Sequence, residues 1–134
     1  MSSASQVEYD FAVLRVVPRV HLGAFVNVGV VIHARQAEQL ALRVLTDVAA
    51  LRHRLPGVDA ELLARYLRSC EAIGAGDPSA GPVALAPPSE RFHWLTAPRS
   101  DVLQSSPIHE GVCSEISTEL EKLYGEYVGL TSTD

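Results

Sequence analysis

The residues best suited to chemistry lie close together late in the chain. Arg91, His93, Arg99, Gln104 and His109 bring two guanidiniums, two imidazoles and an amide into nineteen residues that also supply Phe92 and Trp94. Such groups can converge on a phosphate, a carboxylate or a partner's acidic side chain through charge-assisted hydrogen bonds. On a strand, Arg91 and His93 would share one face with backbone positions about 7 Å apart. Pro98 would restrict Ala97 and bend the TAPRS turn, returning Arg99 toward them. A structural reading of the same residues takes precedence. In it Arg91 pairs with Glu90 or the acidic last helix, His93 bonds to backbone, and Arg99 shapes its turn.

Other constellations are thinner. His109 and Cys113 could act as base and thiol nucleophile, or as two metal ligands. Cys113 stands just before a helix start that could lower its pKa. Cys is also commonly a small buried hydrophobe. A zinc site needs about four ligands, and His93, His109, Cys113 and Cys70 could be gathered only through tertiary contacts. No metal site and no cofactor are therefore expected. Ser105 and Ser106 lack a G-x-S-x-G elbow and read as turn residues. Gly74, Gly76 and Gly81 match neither phosphate-loop nor dinucleotide spacing, and no GK follows.

These side chains need a scaffold, and the hydrophobic pattern supplies one. Val7, Tyr9, Phe11, Val13 and Val17 recur at period two, which predicts a strand over 7–17. Arg15 falls on the same face, so that face must reach solvent or a partner near the strand end. Residues 24–34 (AFVNVGVVIHA) predict a second strand, paired with the first through the PRVHLG connection. Residues 39–46 (QLALRVLT) extend the hairpin into an antiparallel meander through the RQAE turn. Asp47 and Asp59 cap two predicted helices, the first halted by Pro56 and Gly57, the second ended by Gly74. Residues 74–88, with three Gly and four Pro, read as a loop. Residues 91–97 (RFHWLTA) alternate and predict another strand. Residues 101–104 form a shorter neighbour, followed by an irregular SSPIHEGVC loop. Ser114 then caps a last helix whose apolar stripe is Ile116, Leu120, Leu123, Tyr124 and Tyr127.

The order β-β-β-α-α-β-(β)-α predicts an α+β fold: an antiparallel sheet of four to five strands with helices on one face. The expected core is Phe11, Val13, Val26, Val28, Val30, Leu42, Leu63, Leu67, Trp94, Leu120, Leu123 and Tyr124. At 134 residues and 47% hydrophobic content the chain fits one domain, expected over 7–129 between flexible residues 1–6 and 130–134. No apolar run approaches the roughly 18 residues of a membrane span. The polar N-terminus argues against a signal peptide, so a cytoplasmic location is expected. Cys70 and Cys113 are too few for a disulfide framework.

The net charge of −5 is unevenly distributed. Ten Arg against nine acids leave residues 1–100 at +1, whereas one Lys against seven acids leaves residues 101–134 at −6. With no Lys/Arg cluster, broad electrostatic binding of nucleic acid is disfavoured.

Three segments together carry a resemblance: YDFAVLRVVPRV (9–20), FVNVGVVIHAR (25–35) and PPSERFHWLTAPRSDVLQSSPIHEGVC (87–113). They resemble the bacterial domain of unknown function family 3037, and the likeness runs from Val7 to about Val128. The resemblance implies no established activity. Family members encoded beside a HipA-like kinase imply a functional link to such a kinase.

Two functions from different classes follow. The first is a non-catalytic accessory or interaction protein linked to a HipA-like kinase, with Glu115, Glu119 and Glu126 on the last helix as the partner surface. A homo-oligomer is compatible with it. The alternative is a small enzyme or ligand binder acting on a phosphorylated or anionic substrate through Arg91, His93, Arg99, Gln104 and His109.

Overall fold

The alternating N-terminal segments become β1 (Val7–Val16), β2 (Val26–Ala34) and β3 (Gln39–Val44), an antiparallel meander. They are followed by α1 (Val48–Arg54), α2 (Ala60–Gly74) and α3 (Pro88–Thr96), then by β4 (Leu103–Ser105), β5 (His109–Cys113) and α4 (Ile116–Tyr127). The computed structural model describes residues 6–18, 25–97 and 103–129. Several expected features lie outside those residues: the PRVHLG connection beyond Pro18, the TAPRS turn beyond Ala97 with Arg99, the first half of the 101–104 segment, residues 1–5 and the terminal stretch 130–134.

The protein is α+β, as the element order predicts. Its five-stranded antiparallel sheet runs β3-β2-β1, and the free edge of β1 is shared by two short strands. β4 pairs with residues 14–16 of β1 and β5 with residues 7–11. Between them Ser106 takes over the ladder, since its backbone N–H donates to the Val13 carbonyl (2.8 Å) and its Oγ accepts from the Val13 N–H (2.9 Å).

Both faces of the sheet are covered. Tyr9, Phe11, Val13, Val30 and Ile32 pack with Ile116, Leu120, Leu123 and Tyr124 of α4. The alternate residues Ala12, Leu14, Val16 and Val31 pack against α1, α2 and α3. Because neighbouring strand residues point to opposite faces, α4 lies on one side and the other three helices on the other. This corrects the expected one-sided arrangement. The signal was present in β2, where Val30, Val31, Ile32, His33 and Ala34 are buried in succession, the mark of a strand covered on both faces.

The second correction concerns RFHWLTA, which is the body of α3 and not a strand. Pro88 occupies the first helical turn, where a missing N–H costs nothing, and Glu90 sits favourably in that turn. Phe92 and Leu95, three apart, are the buried pair, and Trp94 is only partly buried. Alternation of Phe92 and Trp94 therefore mimicked a strand over a segment with helical spacing. A third correction is β5, which forms where an irregular loop was expected. Gly111 makes it possible: a Cβ there would lie 2.5 Å from the Tyr9 hydroxyl, so the bare backbone lets the ring cross. The loop over residues 74–88 contains two 3-10 turns, at Pro78–Ala80 and Pro82–Leu85. Asp47 and Asp59 cap as expected, accepting from the Ala49 N–H (3.0 Å) and the Leu62 N–H (3.1 Å). The last helix starts from Glu115 instead of Ser114, without a side-chain cap. Of the expected core, Val26, Leu42 and Trp94 are partly buried and the rest are buried.

Candidate functional site

Arg91 is drawn into the fold. Its Nε donates to the Ala86 carbonyl (2.8 Å), and its Nη1 donates to the carbonyls of Ile73 (3.1 Å) and Gly74 (2.8 Å). The last two are C-terminal carbonyls of α2, which a cation satisfies and complements electrostatically. The guanidinium thus ties α2, the 74–88 loop and α3 together. Glu90 and the last helix, its expected partners, are not what holds it.

His93 is two residues along a helix from Arg91, about 200° around the axis, so the shared strand face does not exist. It is exposed and borders a shallow depression with Ser89, Glu90, Trp94 and Ala97. His109 lies on β5 on the α4 side, its ring 5.1 Å from that of Phe11. Gln104 lies on β4 opposite Arg15. Of the described members, none is seen to meet another over a common point.

The His109 and Cys113 pair fares similarly. Four positions apart on one strand, their backbones are about 13 Å apart, beyond reach for a thiol and its base. Burial pushes the Cys113 thiol up, the Glu119 carboxylate adds to this, and the Glu115 backbone N–H opposes it. The direction is opposite to that of an activated nucleophile. Among the described residues, no three His, Cys, Asp or Glu side chains are grouped to hold a metal ion.

The acidic surface of α4 is partly occupied. Tyr9 donates its hydroxyl to Glu119 Oε2 (2.6 Å), and burial together with that carboxylate raises the phenol far above its ordinary value. Thr118 donates to Glu115 Oε1 (3.0 Å). Glu126 is exposed. Across the sheet lie the paired residues 8 and 112 and residues 10 and 110 of β1 and β5. Glu8 and Glu110 are exposed there, Val112 is 54% exposed, and Asp10 is paired with Arg35 (3.3 Å). Next to this strip His33 is buried, stacked on Phe92 with centroids 5.3 Å apart, and its Nε2 has no partner. Burial holds its pKa below the ordinary value, against the attraction of Asp10.

The α4 face holds the feature that the late cluster did not include. Gln104, Arg15 and Asn27 are cross-strand partners in one row, just beyond the C-terminal end of α4. Asn27 Nδ2 donates to the Tyr127 carbonyl (2.9 Å), and the Arg15 guanidinium lies 4.3 Å from the centre of the Phe25 ring. Arg15 Nε is buried without an acceptor. The sequence carried this signal in the placement of Arg15 on an otherwise apolar strand face.

The family model described as "Protein of unknown function (DUF3037)" matches residues 11–128. Neither the search of curated proteins nor that of solved structures gave a match.

Proposed function

The chain belongs to the DUF3037 family, and from that premise we propose that it is a non-catalytic accessory or interaction protein of the bacterial cytoplasm, functionally linked to a HipA-like kinase. The observation that carries the interaction reading is the strip of sheet that the helices leave uncovered, with Glu8 and Glu110 exposed beside a half-exposed Val112. Two exposed carboxylates flanking an exposed valine, with Arg35 alongside, suit a partner surface carrying cations, and such charges chiefly set association rate and salt dependence. Glu126 adds acidity on the opposite side, while Glu119 and Glu115 have internal bonds. Arg91 works against the enzyme reading, since its Nε and Nη1 hydrogens go to three backbone carbonyls. The kinase link rests on the family resemblance.

The test is co-expression with a tagged HipA-like kinase from the same genome. Co-elution at low salt, weakened by the double reversal Glu8→Lys and Glu110→Lys and by rising salt, supports the reading. A kinase whose elution and activity ignore this protein removes it.

A further inference from the structure

A guanidinium held for structural reasons normally saturates its inner nitrogen, as Arg91 does with the Ala86 carbonyl. Arg15 departs from this. Its Nε is buried and has no acceptor, although buried donors are nearly always paired with protein, water or a ligand. Arg35, just after β2, bonds Asp10 through its Nε, and Arg43, which lies over the Tyr124 ring, has a carboxylate partner in Glu121 through Nη1. What Arg15 contacts is the face of Phe25, itself 49% exposed. The stack fixes the plane of the guanidinium without using its hydrogens. Arg cannot relieve the missing bond by losing its proton.

The neighbours in the row are also amide-bearing. Asn27 gives one Nδ2 hydrogen to the Tyr127 carbonyl and retains a second, and Gln104 faces Arg15 from the other strand. No carboxylate belongs to the row. We propose that Arg15, backed by Phe25 and flanked by Asn27 and Gln104, binds an oxyanion, either a carboxylate or a phosphate group. The oxyanion takes the Nε–Nη edge side-on, which supplies the absent acceptor and matches the fork of the guanidinium to a planar or tetrahedral pair of oxygens. Because Nε is buried, the oxyanion reaches this edge only when the half-exposed Phe25 side chain shifts on binding. The site is independent of the kinase link and lies on the opposite sheet face from the Glu8 and Glu110 strip.

The test follows arginine Nε–Hε signals of the full chain by NMR while sodium acetate, sodium phosphate or sodium chloride is added at constant ionic strength. Arg15 is assigned from its loss in Arg15→Lys. A saturable shift of the Arg15 signal with acetate or phosphate, absent with chloride, supports the site. The stronger of the two anions then identifies the source as a carboxylate or a phosphoryl group. Arg91, already bonded, is the internal control and stays still. Asn27→Ala lowers the affinity by roughly tenfold, the equivalent of one lost hydrogen bond to a charged group. Phe25→Leu lowers it too. Equal responses to all three salts, a shift that does not saturate, or parallel movement of Arg91 overturns the proposal. Signals elsewhere in the spectrum verify that each variant is folded.

Discussion

Beneath the C-terminal end of α2, Arg91 gives its Nε and Nη1 hydrogens to three backbone carbonyls; beyond the end of α4, Arg15 keeps a buried Nε without an acceptor and lies against an aromatic ring. The two regions stand on opposite faces of one sheet. Residue type near other polar residues does not separate structural from functional cations, whereas the tally of acceptors does. Arg91 stood in the richest cluster of the sequence and closes a helix end. Arg15 stood almost alone on an apolar strand and is left with a missing partner.

The face on which Arg15 lies is sealed by α4. Leu123, with Leu120 and Tyr124, is buried against β1 and β2. Leu123→Ala should lower stability by about 2 to 5 kcal/mol in urea unfolding. An unchanged midpoint would mean that α4 does not seal the face on which Arg15 lies.

The other end of that face depends on Gly111. Gly111→Ala would push a methyl group to within 2.5 Å of the Tyr9 hydroxyl, which is anchored on Glu119. Overpacking of this kind should cost about 1 to 3 kcal/mol. Tyr9→Phe combined with Gly111→Ala should leave most of the clash and lose the hydrogen bond. Full stability of Gly111→Ala, measured by thermal melting, would show that β5 is not pinned in this register.

His33 offers a sharper contrast with Arg15, because it too is buried with an unpartnered nitrogen but can give up its charge. Its folded pKa is lowered by burial, so the native state binds fewer protons than the unfolded chain near the ordinary value of about 6.5. Stability should therefore fall as pH drops through that value and level off once the lowered folded pKa is passed. His33→Gln should flatten this part of the profile, read from unfolding midpoints between about pH 7 and pH 5. An unaltered profile would mean that His33 does not contribute to it.

Much of the frame was legible in the sequence because local physics determined it. The period-two runs gave β1 to β3, and Asp47 and Asp59 marked helix starts with their side-chain caps. The failures were places where two patterns compete. Phe92 and Trp94 alternate like a strand, but Phe92 and Leu95 are the pair that the core takes up, and Pro88 with Glu90 favours a helix start. β5 depends on a glycine accommodating a tyrosine 102 positions away, which no local window contains. The anion cluster read from spacing along 91–109 spread over α3, β4 and β5 once the strand became a helix. Arg15 was legible as a cation on a buried face. Its missing acceptor is a property of the folded sheet, which no local stretch of sequence contains.

Arg91 holds the fold together and Arg15 does not. Equilibrium urea unfolding of Arg91→Met and Arg15→Met, side by side, tests it most directly. Arg91→Met should lose at least about 1.5 to 3 kcal/mol, the usual scale for a hydrogen bond to a charged group, because three carbonyls lose their donor. Arg15→Met should stay within about 0.5 kcal/mol of the parent or gain slightly, since an unsatisfied buried donor is replaced by an apolar chain. Equal losses, or a larger loss at Arg15, would contradict the account.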